Sequence, residues 1–165
     1  MDLLVSPDGT ARFGALVWRC RLGRSGVSDD KREGDGATPI GAWPLRGVLY
    51  RRDRLARPDC ALSVRGLEPV DGWCDDPSDP AYNRPVILPY PGRCEILWRT
   101  DAAYDVIVPL GYNDAPVIAG CGSAIFLHVA RGDGGPTEGC VALDLADLLV
   151  FLAAATAATR VVIKA

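Results

Sequence analysis

A single histidine, a single methionine, three phenylalanines and no Cys-x-x-Cys pair bound the chemistry of this 165-residue chain. One imidazole rules out a zinc site built on two or three His ligands, so any imidazole base has to be His128. The six cysteines, at 20, 60, 74, 94, 121 and 140, lack the close spacing of a zinc ribbon or a redox dithiol. Basic residues do not outnumber acidic ones: 18 Lys and Arg against 21 Asp and Glu leave a net charge of −3, which argues against a nucleic-acid binder that tracks phosphates. No apolar run reaches the ~18 residues of a membrane span. The segment Met1 to Gly9 shows no basic stretch, long apolar core or small-residue cleavage site. The expectation is therefore a cytoplasmic protein with reduced, mostly buried thiols, or a periplasmic one if a leader has been removed. Without repeats or composition shifts, 1–165 is expected to form one domain that folds with no metal or cofactor.

What is present reads mainly as short strands. Leu3 to Ser6, the turn signal Asp8-Gly9 and the alternating run Ala15 to Arg21 predict a hairpin. Residues 23–41 are too broken by Gly, Asp and Pro for regular structure and read as a long ordered loop. Apolar runs follow at 43–50, 61–64, 86–88, 95–98, 104–110, 117–118 and 125–129, at the spacing of a sandwich or barrel. One segment has helical periodicity: Leu145, Leu148, Leu149, Leu152 and Ala153 form a stripe behind Asp144 as N-cap. Arg160 to Lys164 reads as a terminal strand. The fold class predicted is mainly β, a sandwich or barrel-like domain with one principal helix. Arg51-Arg52-x-Arg54 reads as an exposed basic loop, and Trp43 as core.

The chemistry concentrates between residues 122 and 143. The apolar strand Ile125 to Val129 contains the only His, and a Gly-rich loop leads from it to Thr137-Glu138-Gly139-Cys140-Val141, which places Cys140 12 residues after His128. A loop of that length can fold back and bring an imidazole to a thiol, which needs a proton acceptor to become a nucleophile. Gly139, lacking a Cβ, permits a tight turn in which the amides of Gly139 and Cys140 face a developing oxyanion.

Thr137-Glu138-Gly139-Cys140 behind His128 resembles the catalytic stretch of the L,D-transpeptidase (YkuD-like) family, in which a His precedes a Ser/Thr-x-Gly-Cys motif carrying the nucleophile. Upstream, Asp35-Gly36-x-Thr38-Pro39-x-Gly41 is similar to that family's Thr-Pro-x-Gly motif. Gly72-Trp73-Cys74-Asp75-Asp76-Pro77 with Tyr82-Asn83-Arg84 resembles a stretch of its small stand-alone members. Glu138 and Ala142 depart from the pattern, since many relatives have His at the first position and Asn or Arg at the second; Glu138 is given no catalytic role. The resemblance implies a mainly β fold with the Cys motif at one rim. It also implies attack of Cys140 on an L,D peptide bond of a peptidoglycan stem tetrapeptide, with His128 as base and then acid, and acylation by carbapenems. The second ring nitrogen of His128 then needs a backbone carbonyl or the Ser123 hydroxyl to orient it.

Substrate contacts are expected from Arg84, Tyr82, Asn83, Ser123, Thr137, Tyr112, Asn113 and Trp73, with Arg84 suited to a stem carboxylate. The leading expectation is an L,D-carboxypeptidase that releases terminal D-Ala from muropeptides during peptidoglycan recycling. The alternatives are an L,D-transpeptidase forming cross-links and a non-catalytic peptidoglycan-binding module.

Overall fold

A computed structural model describes residues 1–165. The chain opens with β1 (Leu3–Ser6), β2 (Thr10–Phe13) and β3 (Leu16–Arg21), a three-stranded meander rather than the single hairpin predicted. Thr10–Phe13 is a strand of its own, paired on both sides, because Gly14 at a φ of 59° supplies a second tight turn. The loop that follows is ordered, and within it β4 (Val27–Ser28) and β5 (Thr38–Pro39) pair in parallel while Gly23 makes an isolated parallel bridge to Thr137. Next come β6 (Gly41–Pro44), β7 (Val48–Tyr50) and β8 (Val64–Gly66). Then β9 (Asp71–Cys74), β10 (Pro85–Ile87) and β11 (Cys94–Ile96) make a separate three-stranded sheet in the order β10-β9-β11. The chain returns with β12 (Val106–Pro109), β13 (Phe126–Val129), β14 (Val141–Leu143), α1 (Leu145–Ala154) and β15 (Arg160–Ile163).

Ten strands form one curled sheet, a half-barrel in the order β6-β15-β1-β2-β3-β14-β13-β12-β7-β8. This is the mainly β, one-helix architecture expected from the strand pattern. Its central strands are covered on both faces, and strand periodicity sorts their side chains. Leu127, Val129, Val141 and Leu143 join Leu3, Val5 and Phe13 in one core, where α1 presses Leu148, Phe151 and Leu152 against the sheet. Phe151 meets Phe13 edge to face with ring centroids 5.1 Å apart. The alternate residues, Phe126 and Cys140 with Ile107, join Leu67, Leu97 and Tyr104 in a second core on the opposite face. Burying a side chain of Leu or Phe size stabilises by about 1.5–3 kcal/mol.

Several local expectations change. The helix stripe runs through Phe151 instead of the exposed Ala153, and Asp144 makes no side-chain cap bond. Val117 and Ile118 lie in irregular backbone between two turns, not in a strand. Arg51 is buried rather than exposed: its guanidinium sits 3.7 Å from the Trp98 ring centroid, pairs with both Asp53 oxygens and donates to the Arg99 carbonyl. Trp43 is half-buried, its indole N–H donating to the Pro39 carbonyl at 3.0 Å while its ring packs edge-on against Tyr112.

Candidate active site

His128 and Cys140 reach the same place through the register of two adjacent strands. β13 and β14 run parallel with His128 beside Ala142, so Cys140 falls beside Phe126, two pairs back. Alternation then puts Phe126, His128, Cys140 and Ala142 on one face, the face away from α1. The small Ala142 leaves open space between the strands there. His128, Cys140 and Ala142 line a cavity of about 400 Å³.

The turn before Cys140 is held by hydroxyls. Thr137 Oγ1 donates to the Cys140 carbonyl at 2.7 Å and accepts the Gly139 N–H at 3.1 Å. Thr38 Oγ1 donates to the same carbonyl at 3.3 Å and accepts the Gly23 N–H at 2.8 Å, which brings the upstream Thr-Pro segment onto the Cys turn. Gly139 has a φ of 134° and lies against the Ala37 carbonyl, so no Cβ fits there. The expectation of two free amides therefore changes: the Gly139 N–H is committed to Thr137, and the Cys140 N–H is the one with no protein acceptor.

The Cys140 thiol donates to the Ala124 carbonyl and accepts the Phe126 N–H, both at 3.3 Å. Ala124 adopts a left-handed φ of 53°, and its N–H is anchored on Asn83 Oδ1 at 3.0 Å. His128 Nδ1 lies 2.8 Å from the Val129 carbonyl. A carbonyl only accepts, so Nδ1 carries the proton and Nε2 keeps the lone pair a base requires. Of the two orienting partners open to sequence reasoning the carbonyl is the one found, since the Ser123 hydroxyl donates to Glu33 at 2.7 Å.

Burial sets the electrostatics of the pair. It pushes the Cys140 thiol up to about 12, with Glu95 acting in the same direction, and lowers the His128 imidazole to about 4. Both groups are neutral at pH 7, and no hydrogen bond joins them at rest. The arrangement suits proton transfer from sulfur to Nε2 during attack rather than a standing thiolate–imidazolium pair.

The cavity is strongly charged, but most of its charges are paired. Lys31 meets Asp35 at 2.5 Å, Arg99 meets Asp101 at 2.6 Å, and the exposed Glu138 meets Arg24 at 2.9 Å. Glu33 and Glu95 differ. Glu33 accepts the hydroxyls of Tyr82 and Ser123, Glu95 accepts that of Tyr104, and burial raises the Glu95 carboxyl. Tyr104 also packs edge-on against the His128 ring, with centroids 5.3 Å apart. No group of three His, Cys, Asp or Glu side chains is placed to hold a metal ion.

Of the residues expected to touch substrate, Ser123 and Thr137 line this cavity. The other six do not. Tyr82 is buried, bridging Glu33 and the Gly122 N–H. Asn83 is a buried bolt at a φ of 55°: its oxygen accepts the Trp73 and Ala124 N–H groups, and its amide donates to the carbonyls of Tyr112 and Asn113. Trp73 packs on Phe126. Tyr112 and Asn113 border a second, shallower depression with Trp43, and exposed Arg84 donates to the Asp114 carbonyl. Sequence reasoning missed Lys31, Glu33, Glu95, Arg99 and Tyr104, all of which line the cavity that holds Cys140 and His128.

The buried imidazole has a consequence for stability. Unfolded, His128 takes a proton near pH 6.5; folded, it resists protonation until about pH 4. Its contribution is complete above the unfolded value and is lost as pH falls toward 4, by about 3 kcal/mol in all. Urea midpoints measured from pH 7 down to pH 4 are expected to fall less steeply in His128→Gln than in the wild type. Parallel pH slopes would contradict this.

No curated protein and no solved structure matches the chain. The model of the L,D-transpeptidase catalytic domain (YkuD) matches residues 4–163, the whole strand framework that places the thiol beside the imidazole, and the chain belongs to that family.

Proposed function

We propose that this member of a peptidoglycan-acting family is an L,D-carboxypeptidase that removes the terminal D-Ala from stem tetrapeptides, in a recycling role on soluble muropeptides. The observation that carries the reading is the placement of Cys140 and His128 in one cavity of about 400 Å³, at the small end of the range for a single bound ligand. Sγ attacks the carbonyl at the L-centre while its proton passes to His128 Nε2. The oxyanion forms next to the Cys140 N–H, whose hydrogen bond strengthens as charge develops. Collapse expels the D-Ala amine, which takes the proton back from His128. Water, deprotonated by the same imidazole, then opens the thioester and restores the thiol.

A second reading is transfer of the acyl group to the side-chain amine of another stem. Glu33 and Glu95 favour it, because two carboxylates that meet only hydroxyls offer partners to an ammonium. Incubation with disaccharide tetrapeptide, followed by mass spectrometry, separates the readings. Tripeptide and free D-Ala are expected as the main products. Predominance of cross-linked dimer would establish transfer instead, and unchanged tetrapeptide would leave a binding module.

A further inference from the structure

Cys74 and Cys94 lie 20 residues apart in sequence but directly opposite each other across β9 and β11. The neighbouring hydrogen bonds define the kind of pair. Asp75 N–H donates to the Arg93 carbonyl and Leu97 N–H to the Asp71 carbonyl, so the pairs 75/93 and 71/97 are the hydrogen-bonded ones. Alternation makes 74/94 a non-hydrogen-bonded pair. In agreement, Cys74 turns both its backbone groups to the other side of the strand, donating to the Arg84 carbonyl and accepting the Asn83 N–H. Non-hydrogen-bonded partners have Cα atoms ~4.5 Å apart and side chains on one face, within the 4.4–6.8 Å span that a disulfide bridges. Both thiols are free in this structure.

Access to the two sulfurs is graded: Cys94 is half-buried and Cys74 fully buried. We infer that Cys74 and Cys94 form an oxidisable cross-strand dithiol, a modification site for low-molecular-weight disulfides on the outer face of the small sheet. The Cys94 thiolate attacks one sulfur of the reagent, forming a mixed disulfide and releasing one thiolate. The Cys74 thiolate then attacks the Cys94 sulfur and releases the second. Two protein thiols are oxidised, and the reagent is reduced to two thiols that take up the two protons. The bridge would lie behind the cavity wall, since Glu95, next to Cys94, pairs with Trp73 on the opposite face of the same strands.

The test uses the full chain with glutathione disulfide as probe, alkylation of remaining thiols, non-reducing digestion and mass spectrometry. The expected result is a peptide pair joined through Cys74 and Cys94, an intact mass lower by two hydrogens and a melting temperature about 5–10 °C higher than that of the reduced protein. Cys74→Ala is expected to trap Cys94 as a persistent glutathione adduct. A wild-type protein in which Cys94 accumulates that adduct without joining Cys74, or in which both stay free, overturns the inference. The wild-type map decides the question even if the variant does not fold.

Discussion

Cys140→Ala is expected to reduce D-Ala release by at least about 10⁴-fold while leaving a cooperative thermal transition. The size follows from the chemistry: without Sγ no thioester forms, and the remaining cavity offers only binding and one free amide. His128→Gln is expected to come close to the same loss, and the double variant to be little worse than either, because base and nucleophile act as a unit. The family relationship supports a companion measurement, a carbapenem adduct on the intact mass of the wild type that is absent from Cys140→Ala. Survival of either the activity or the adduct in that variant would remove Cys140 from the nucleophile's role.

The electrostatics give this prediction a second arm that separates two modes of activation. A standing ion pair would make Cys140 more reactive than a free thiol at pH 7. The buried, neutral pair seen here does the reverse. With the thiol pushed up to about 12, its thiolate population at pH 7 is on the order of 10³ below that of a free cysteine, partly offset by greater intrinsic nucleophilicity. Iodoacetamide is therefore expected to label Cys140 slowly at pH 7 and faster as pH rises, while the specific acyl substrate reacts readily. Rapid labelling at neutral pH would instead establish a preformed thiolate. Slow alkylation thus fits a nucleophile whose proton leaves only during attack.

Gly139→Ala is expected to produce a stability loss of about 3 kcal/mol, with a drop in melting temperature of roughly 6–12 °C. Two independent costs meet at this position. A φ of 134° is one that L side chains rarely adopt, and the added Cβ would lie 2.8 Å from the Ala37 carbonyl oxygen. That neighbour is backbone, held next to Thr38, whose hydroxyl bonds the Cys140 carbonyl, so it cannot rotate away. Relief requires shifting the turn that carries the thiol, and D-Ala release is expected to fall at least tenfold even at temperatures where the variant is folded. By contrast, Gly132→Ala, at a position where an added Cβ meets nothing within 4 Å, is expected to be neutral in both assays. A Gly139→Ala melt within 2 °C of wild type would show that the turn is softer than its contacts imply.

The site was legible where its signal is local. Gly139 and Cys140 follow one another, and a dozen residues back to His128 is a length that returns a chain to its own neighbourhood. The parallel pairing of β13 and β14 realises that expectation in a specific way. Glu33 and Glu95 were illegible for the opposite reason. One sits in a loop crowded with charge and the other in a three-residue strand, and only long-range packing brings both to one cavity. Asn83 carries a related lesson: its polarity suggested solvent and substrate, yet its left-handed backbone turns the side chain inward to four partners. Periodicity assigns faces to a strand, but it does not name the strand that will lie alongside. The pairing of Cys74 with Cys94 is of the same kind, set by which strand lies alongside and not by periodicity.

The parallel pairing of β1 with β15 also governs when this sheet can assemble. β1 lies inside the sheet, with Leu3 beside Val161, and the Arg160 N–H donates to the Asp2 carboxylate across 158 residues of sequence. During synthesis β1 emerges well before β15 and waits, one edge open, for a partner more than 150 residues downstream. Such high contact order slows folding and leaves an unpaired edge available to other chains in the interval. The meander of β1, β2 and β3 therefore has to stay unpaired along β1 until β15 arrives, a stage of folding that the stability of the finished half-barrel does not protect.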